Sequence, residues 1–219
     1  MRIILFWLLF FYPYTFAKDF NLVDLSEIAP KIQIQMKYYG VDNFVGKKIS
    51  GYKANKCLLT AQAARALARA QKLANQKGYT LLVFDCYRPQ QAVDHFVRWS
   101  KSAVNPENKQ KYFPAIEKKE LFKLGYIASK SGHSRASTVD LTLVNSSNNT
   151  QLEMGTIFDF FDKKSHTNST EISKKQKKNR VTLLTIMKKA NFRNYSKEWW
   201  HYTLNDEPNK NNYLNIPIN

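Results

Sequence analysis

The sequence predicts an α+β fold: a single domain with a central, largely antiparallel sheet flanked by helices. Three observations point there. Short stretches of apolar/polar alternation, K-I-Q-I-Q-M-K-Y at 31–38 and V-D-L-T-L at 139–143, have the period of half-buried strands. A run rich in alanine and leucine, from Thr60 to Gly78, has the composition and end signals of a helix. Strands and helices are interspersed, yet too few regular strand–helix–strand units occur for a doubly wound sheet. With 219 residues, 43% of them hydrophobic, the chain can bury one substantial core.

The first seventeen residues, M-R-I-I-L-F-W-L-L-F-F-Y-P-Y-T-F-A, are a different material. Arg2 provides a short positive start, Ile3 to Tyr12 an apolar run, and Thr15-Phe16-Ala17 a small-residue ending. That is the layout of a secretory signal cleaved after Ala17, leaving a domain over 18–219 with no stable membrane anchor. The apolar run is short for a bilayer span, and an uncleaved anchor is the alternative. Export permits a disulfide. For Cys57 and Cys86, a bridge and two buried thiols are both compatible with the sequence.

From Val23 to Tyr39 the alternation of Ile32, Ile34 and Met36 predicts a strand, and Gly40 to Lys56 predicts a surface loop. Thr60 is a good N-cap for the helix that Gly78 stops. Y-T-L-L-V-F at 79–84 reads as a buried strand ending in D-C-Y-R-P, with Pro89 opening a helix over Gln90 to Ser100. Asn105 to Lys123 is polar and expected to be helical in part. Val139 to Leu143 is a strand, and N-S-S-N-N-T-Q at 145–151 is a turn or hairpin tip. A last long helix is expected over Thr170 to Ala190, then a strand containing E-W-W-H.

Lys and Arg outnumber Asp and Glu by 34 to 17, a net charge of +17 that favours anionic partners such as nucleic acid, acidic lipid or cell-wall polymer. The basic residues are scattered except for K-K-Q-K-K-N-R at 174–180, which reads as a solvated helix start. Zinc-finger spacing and aromatic-basic RNA-binding patterns are both missing, so nucleic acid is not expected as a partner.

Chemistry concentrates elsewhere. S-G-H-S-R-A-S-T-V-D sets His133 seven residues before Asp140, a carboxylate inside an apolar strand that would be costly to bury unpaired. With His201 of E-W-W-H it forms a two-His, one-carboxylate set that can hold a metal and leave a position open; satisfied core histidines and a paired aspartate are the structural alternative. Glu198 is then the natural general base. Residues i and i+3 of a regular strand face opposite sides, so the chain must turn between Glu198 and His201, with the strand proper starting near His201. Arg88, where a buried strand breaks into a helix, is either a salt-bridging residue or a cation aimed at a developing oxyanion. Asp159, inside M-G-T-I-F-D-F-F, is either a turn cap, an arginine partner or a site carboxylate. His95 reads as a surface residue, and His166 as a maker of a structural hydrogen bond.

Four motifs in order, D-C-Y-R-P (85–89), S-G-H-S-R-A-S-T-V-D-L-T-L (131–143), M-G-T-I-F-D-F-F-D (154–162) and E-W-W-H-Y (198–202), resemble the zinc D-alanyl-D-alanine dipeptidases of the vancomycin-resistance (VanX) type. The second and fourth are shared with a broader group of zinc D-Ala-D-Ala peptidases; the third, with Ser165-His166, is similar to the dipeptidase branch. The resemblance implies the hedgehog-like fold of that group and one zinc ion per chain on His133, Asp140 and His201. It further implies Glu198 as catalytic base, Arg88 as stabiliser of the tetrahedral intermediate, Asp159 on the free amine of the dipeptide, and Ser131 lining that pocket. One departure is Ala136, where the family usually has Gly; a positive φ there would cost on the order of 1 kcal/mol. The expectation is an exported, periplasmic or secreted, hydrolase of D-Ala-D-Ala. The alternative is a D,D-carboxypeptidase trimming longer wall peptides, and a non-catalytic wall-binding protein is a third reading.

Overall fold

The computed structural model describes residues 21–219; the expected signal segment lies outside them. Leu22–Asp24 forms β1, and Asp24 caps the one-turn helix α1, Leu25–Ile28, by accepting from the Ser26 amide. Gln33–Ile34 forms β2. The alternation that predicts a longer strand is real in burial, since Ile32 and Met36 are in the core, but only two residues pair with a neighbour. Beyond them the chain winds into a 3₁₀ turn, Lys37–Tyr39, which carries Tyr38 inward. Leu58–Thr60 is β3, paired antiparallel with β1 in a small separate sheet.

The Ala/Leu-rich helix, α2, spans Ala61–Asn75, with the Thr60 hydroxyl accepting from the Ala63 amide and Gly78 stopping the run at φ +77°. Tyr79–Asp85 is β4, and α3 covers Gln90–Ser100 behind Pro89. Of the polar stretch that follows, Pro106–Tyr112 is helical (α4), with Asn105 as its cap. Thr138–Asn145 is β5, followed by the expected turn, in which the Asn145 amide bonds to the Thr150 carbonyl. The last long helix, α5, begins at Lys174, four residues later than the composition suggests. Ser173 and Gln176 close a capping box there and set its start. Phe192–Asn194 is β6 and His201–Leu204 is β7.

The main sheet has the order β2-β4-β5-β7-β6, parallel only between β2 and β4. It is the largely antiparallel sheet the sequence predicts. Leu81, Val83, Val139, Leu141 and Leu143 are fully buried on one face; alternation sends Asp140, Thr142 and His201 to the other. α2 packs on β4 and against α5, whose Leu183, Ile186 and Met187 are buried. Apolar burial on that scale, at roughly 25 cal/mol per Å², is the main term holding the layers together.

Two polar clamps tie the irregular parts to this frame. Arg180, buried on α5, donates to the carbonyls of Met154, Lys164 and His166 and so braces the segment containing Asp159. Glu207 is gripped by Arg135 through both carboxylate oxygens, at 2.7 and 3.0 Å, and by Arg193 on β6 at 2.7 Å. Burial pushes the Glu207 carboxyl up, but these arginine hydrogen bonds outweigh it and hold it below its ordinary 4.5. A depressed folded value means the stabilisation is present above pH 4.5 and is lost as pH falls through that value. Glu207→Gln is therefore expected to lose about 1.5–3 kcal/mol at neutral pH and to flatten the acid limb of the stability curve. Denaturant unfolding of both proteins between about pH 7 and 3 checks this, and parallel curves would remove the role given to Glu207.

Candidate metal centre and active site

Asp85, Asp140 and His201 form a row across three adjacent strands: Asp85 stands opposite Asp140 on β4 and β5, and Asp140 opposite His201 on β5 and β7. The first pairing depends on a bulge. Val83 is in register with Leu141, and a regular ladder would put Phe84 opposite Asp140 and turn Asp85 to the helix-covered face. An extra residue between Val83 and Asp85 shifts the register and brings Asp85 round to the side of Asp140.

His133 reaches the row from a 3₁₀ turn, Gly132–Arg135, capped by the Ser131 hydroxyl, which accepts from the His133 amide at 3.2 Å. Ala136 ends that turn in the left-handed region at φ +58°, the conformation in which a glycine would be easier. The His133 ring is fixed by the Cys86 carbonyl, 2.7 Å from Nδ1. A carbonyl only accepts, so Nδ1 carries the hydrogen, and in the neutral ring Nε2 presents a lone pair. Nε2 lies 3.2 Å from Asp140 Oδ2 and 3.4 Å from His201 Nδ1, which in turn lies 3.1 Å from Asp140 Oδ1.

Three lone-pair donors thus converge, and Asp140 Oδ1 is buried with no hydrogen-bond partner. Burial works to raise the Asp140 carboxyl, but the His133 and His201 imidazoles hold it well below the usual carboxylate range. Ligand atoms of His133, Asp140 and His201 all fall within 4.8 Å of one another, the one such metal-competent grouping among the described residues. Two imidazoles and a carboxylate, one oxygen of it orphaned, fit a tetrahedral divalent ion with a position left open.

Glu198 meets this centre because the chain turns where its spacing requires. Residues 196–200 make a turn in which the His201 amide bonds back to the Glu198 carbonyl at 3.3 Å, and β7 starts at His201. Glu198 Oε2 ends 3.4 Å from His201 Nδ1. Its carboxyl is pushed up to about 8, by burial first and then by the Asp140 charge. The two tryptophans divide: Trp200 lines the site, while Trp199 donates to the Thr156 hydroxyl and lines a neighbouring open cleft.

Arg88 lies with its guanidinium over the rings of Tyr38 and Phe96, 2.8 Å from Asp85 and 3.6 Å from Asp140. Asp159, buried and held at φ +59°, accepts from the Tyr38 hydroxyl at 2.8 Å. Burial, then the Asp140 charge, raises its carboxyl well above the ordinary value, which the Tyr38 hydrogen bond and the Arg88 charge only partly oppose; among the described residues no cation forms an ion pair with it. Ser131, Arg88, His133, Asp140, Asp159, Glu198 and His201 all line one cavity of about 320 Å³, at the small end for ligand sites.

Three participants escape the motif reading. Asp85 binds Arg88, lies 3.5 Å from His133 Nδ1 and accepts from the Tyr52 hydroxyl at 2.7 Å; its signal in the sequence is a carboxylate closing an apolar strand. Tyr38 and Tyr52 have no local signal. The two remaining histidines are His95 and His166. His95 is half-buried on α3, away from the site, and its Nδ1 accepts from the Ser50 amide at 3.1 Å. His166 bonds through its backbone carbonyl to Arg180, and among the described residues its ring makes no hydrogen bond. Ser165 takes the structural role there, donating to the Phe160 carbonyl beside Asp159.

A family model described as D-ala-D-ala dipeptidase (Peptidase_M15) matches residues 18–219. The chain is 42% identical to a D-alanyl-D-alanine dipeptidase of Enterococcus faecium over 194 residues, 89% of this chain and 96% of that protein. It is also 42% identical to one of Streptomyces coelicolor over 200 residues (91% and 98%) and 34% identical to one of Escherichia coli over 184 residues (84% and 84%).

If the convergent donors hold a divalent ion, adding one at a thousand times its dissociation constant stabilises the fold by about 4 kcal/mol. Thermal melts with and without Zn²⁺ are expected to show that gain, and Asp140→Asn is expected to abolish it. A gain that survives in Asp140→Asn would place the ion elsewhere.

Proposed function

The chain belongs to the D-Ala-D-Ala dipeptidase family, M15, and on that premise we propose that it hydrolyses the dipeptide D-Ala-D-Ala with one zinc ion on His133, Asp140 and His201. The observation that carries the substrate is Asp159: a carboxylate with no ion-pair partner among the described residues, buried in the wall of a small cavity that also contains Glu198 and Arg88. The free ammonium of a dipeptide supplies the missing charge. A longer peptide has an amide at that point and would leave Asp159 buried and unmatched, an expensive mismatch.

When bound, zinc supplies Lewis acidity, polarising the scissile carbonyl and acidifying water. Glu198, with its carboxyl near 8, is poised between proton acceptor and donor at neutral pH. It takes the proton of the attacking water and returns it to the departing amine. Arg88, oriented by Asp85 rather than free to swing, faces the negative charge that grows on the carbonyl oxygen. Asp159 and Ser131 hold the amino end of the substrate, and Trp200 excludes bulk water from the wall beside them.

The signal layout of residues 1–17 and the bridge between Cys57 and Cys86 support export, to the periplasm or beyond, and a role in turnover of wall-derived dipeptide. The charge of +17 supports contact with anionic wall polymer. The neighbouring helices α2 and α5 are its best surface: they contain Arg65, Arg69, Lys72, Lys174, Lys175, Lys177 and Lys178 and no carboxylate. Protein recovered from the cell envelope is expected to begin at Lys18 and to be released by salt. A chain beginning at Met1 in the cytoplasm would end both readings.

The substrate reading is tested by comparing D-Ala-D-Ala with its N-acetylated form. Acetylation is expected to cost a hundredfold or more in kcat/KM, a penalty of about 2.7 kcal/mol, and Glu198→Gln to abolish turnover of both. Equal hydrolysis of the two forms would mark a D,D-carboxypeptidase instead.

A further inference from the structure

Cys57 and Cys86 are joined, and neither exposes any surface. Cys57 stands immediately before β3 and Cys86 immediately after β4, at the point where the main sheet lets go of the chain. From Cys86 to Pro89 no strand pairing holds the backbone, yet this segment does two jobs. The Cys86 carbonyl fixes the His133 ring, and Arg88, two residues on, receives its orientation from Asp85. Two of its amides run to β3 and to the His133 turn, that of Tyr87 to the Leu58 carbonyl at 3.0 Å and that of Arg88 to the His133 carbonyl at 3.3 Å, while the Tyr87 hydroxyl donates to the Ile216 carbonyl and accepts from its amide. β3 is itself bonded to that turn, through the Thr60 amide and the Ala136 carbonyl at 2.8 Å. Among the described residues the only sheet partner of β3 is the three-residue β1, a pairing too short to be rigid alone.

From this lacing we propose that the Cys57–Cys86 disulfide is a positioning element of the metal centre. It fixes the carbonyl that holds His133 in its ligand-bearing tautomer, and it keeps Arg88 in line with the same peptide. The inference rests on the reading of His133 as a zinc ligand. Outer partners of a ligating histidine are typically worth 10–100-fold in metal affinity, and the bridge acts through such a partner. Its complete burial means that exchange with small thiols passes through transient opening of the chain.

Two measurements test this. In the first, zinc affinity of the mature chain is read by chelator competition for wild type, the double variant Cys57→Ala/Cys86→Ala, and Leu183→Ala, which loosens the core under α5. The double variant is expected to bind zinc 10–100-fold more weakly and Leu183→Ala to bind as wild type. Equal losses in both would reduce the bridge to general stability and overturn the proposal, as would undiminished affinity in the double variant.

The second measurement needs no variant. In a glutathione redox buffer two glutathione thiols each give one electron and one proton. The S–S bond breaks to leave thiols on Cys57 and Cys86, and glutathione disulfide forms. Because coupling is reciprocal, saturating zinc must disfavour reduction of the bridge by the same 10–100-fold. An equilibrium constant indifferent to zinc overturns the proposal. Turnover of D-Ala-D-Ala by the oxidised chain is assayed alongside. Failure there would retire the proposed substrate while leaving the coupling of zinc to the bridge intact.

Discussion

Three carboxylates, Asp140, Asp159 and Glu198, line one small cavity, and a fourth, Asp85, is buried beside it against Arg88, the one guanidinium of the lining. Burial first, and the Asp140 charge after it, raises the carboxyls of Asp85, Asp159 and Glu198. Only Asp140, flanked by two imidazoles, escapes upward displacement. Much of the surrounding structure answers this crowding. Tyr52 and Tyr38 donate to Asp85 and Asp159, and a 3₁₀ turn and the start of β7 bring imidazoles to Asp140.

The polypeptide meets that demand with irregularities set on a regular frame. The sheet supplies a row of cross-strand neighbours, and the departures from regularity aim the side chains: the bulge at Val83/Asp85, the left-handed Ala136 and Asp159, and the turn before His201. Each carries a local cost of order 1–3 kcal/mol where the backbone is forced out of its favoured regions. Arg180, Ser165 and the Arg135–Glu207 pair provide the surrounding hydrogen bonds that hold these conformations in place.

Features that depend on local composition were legible in the sequence: α2 from its alanines and its Thr60 cap, α3 from Pro89, β5 from its alternation. The spacing of Glu198 and His201 went further and required a turn, since no straight strand could show both to one centre. What escaped depends on register and long-range contact. Nothing near Asp85 announces that a bulge will rotate it toward Asp140, and nothing near Tyr38 announces a buried aspartate more than a hundred residues away. β2 was overestimated because alternation records burial, not pairing, and its parallel partner offers only two positions. The start of α5 was in fact written in Ser173 and Gln176, a capping box more specific than the lysine run that follows.

The extra residue in β4 also bears on how such a chain can vary in length. Loops such as 145–151 can gain or lose residues with little effect on the frame, since the entropy of closing a loop changes slowly with its size. Phe84 shares that latitude, for a different reason. Deleting it alone would straighten the strand and make Asp85 the direct successor of Val83, still opposite Asp140 and on the same face. What would be lost is the Phe84 ring, whose centroid packs 5.0 Å from that of Phe158. The bulge thus admits one more phenylalanine to an apolar run without turning the site carboxylate away from its partner.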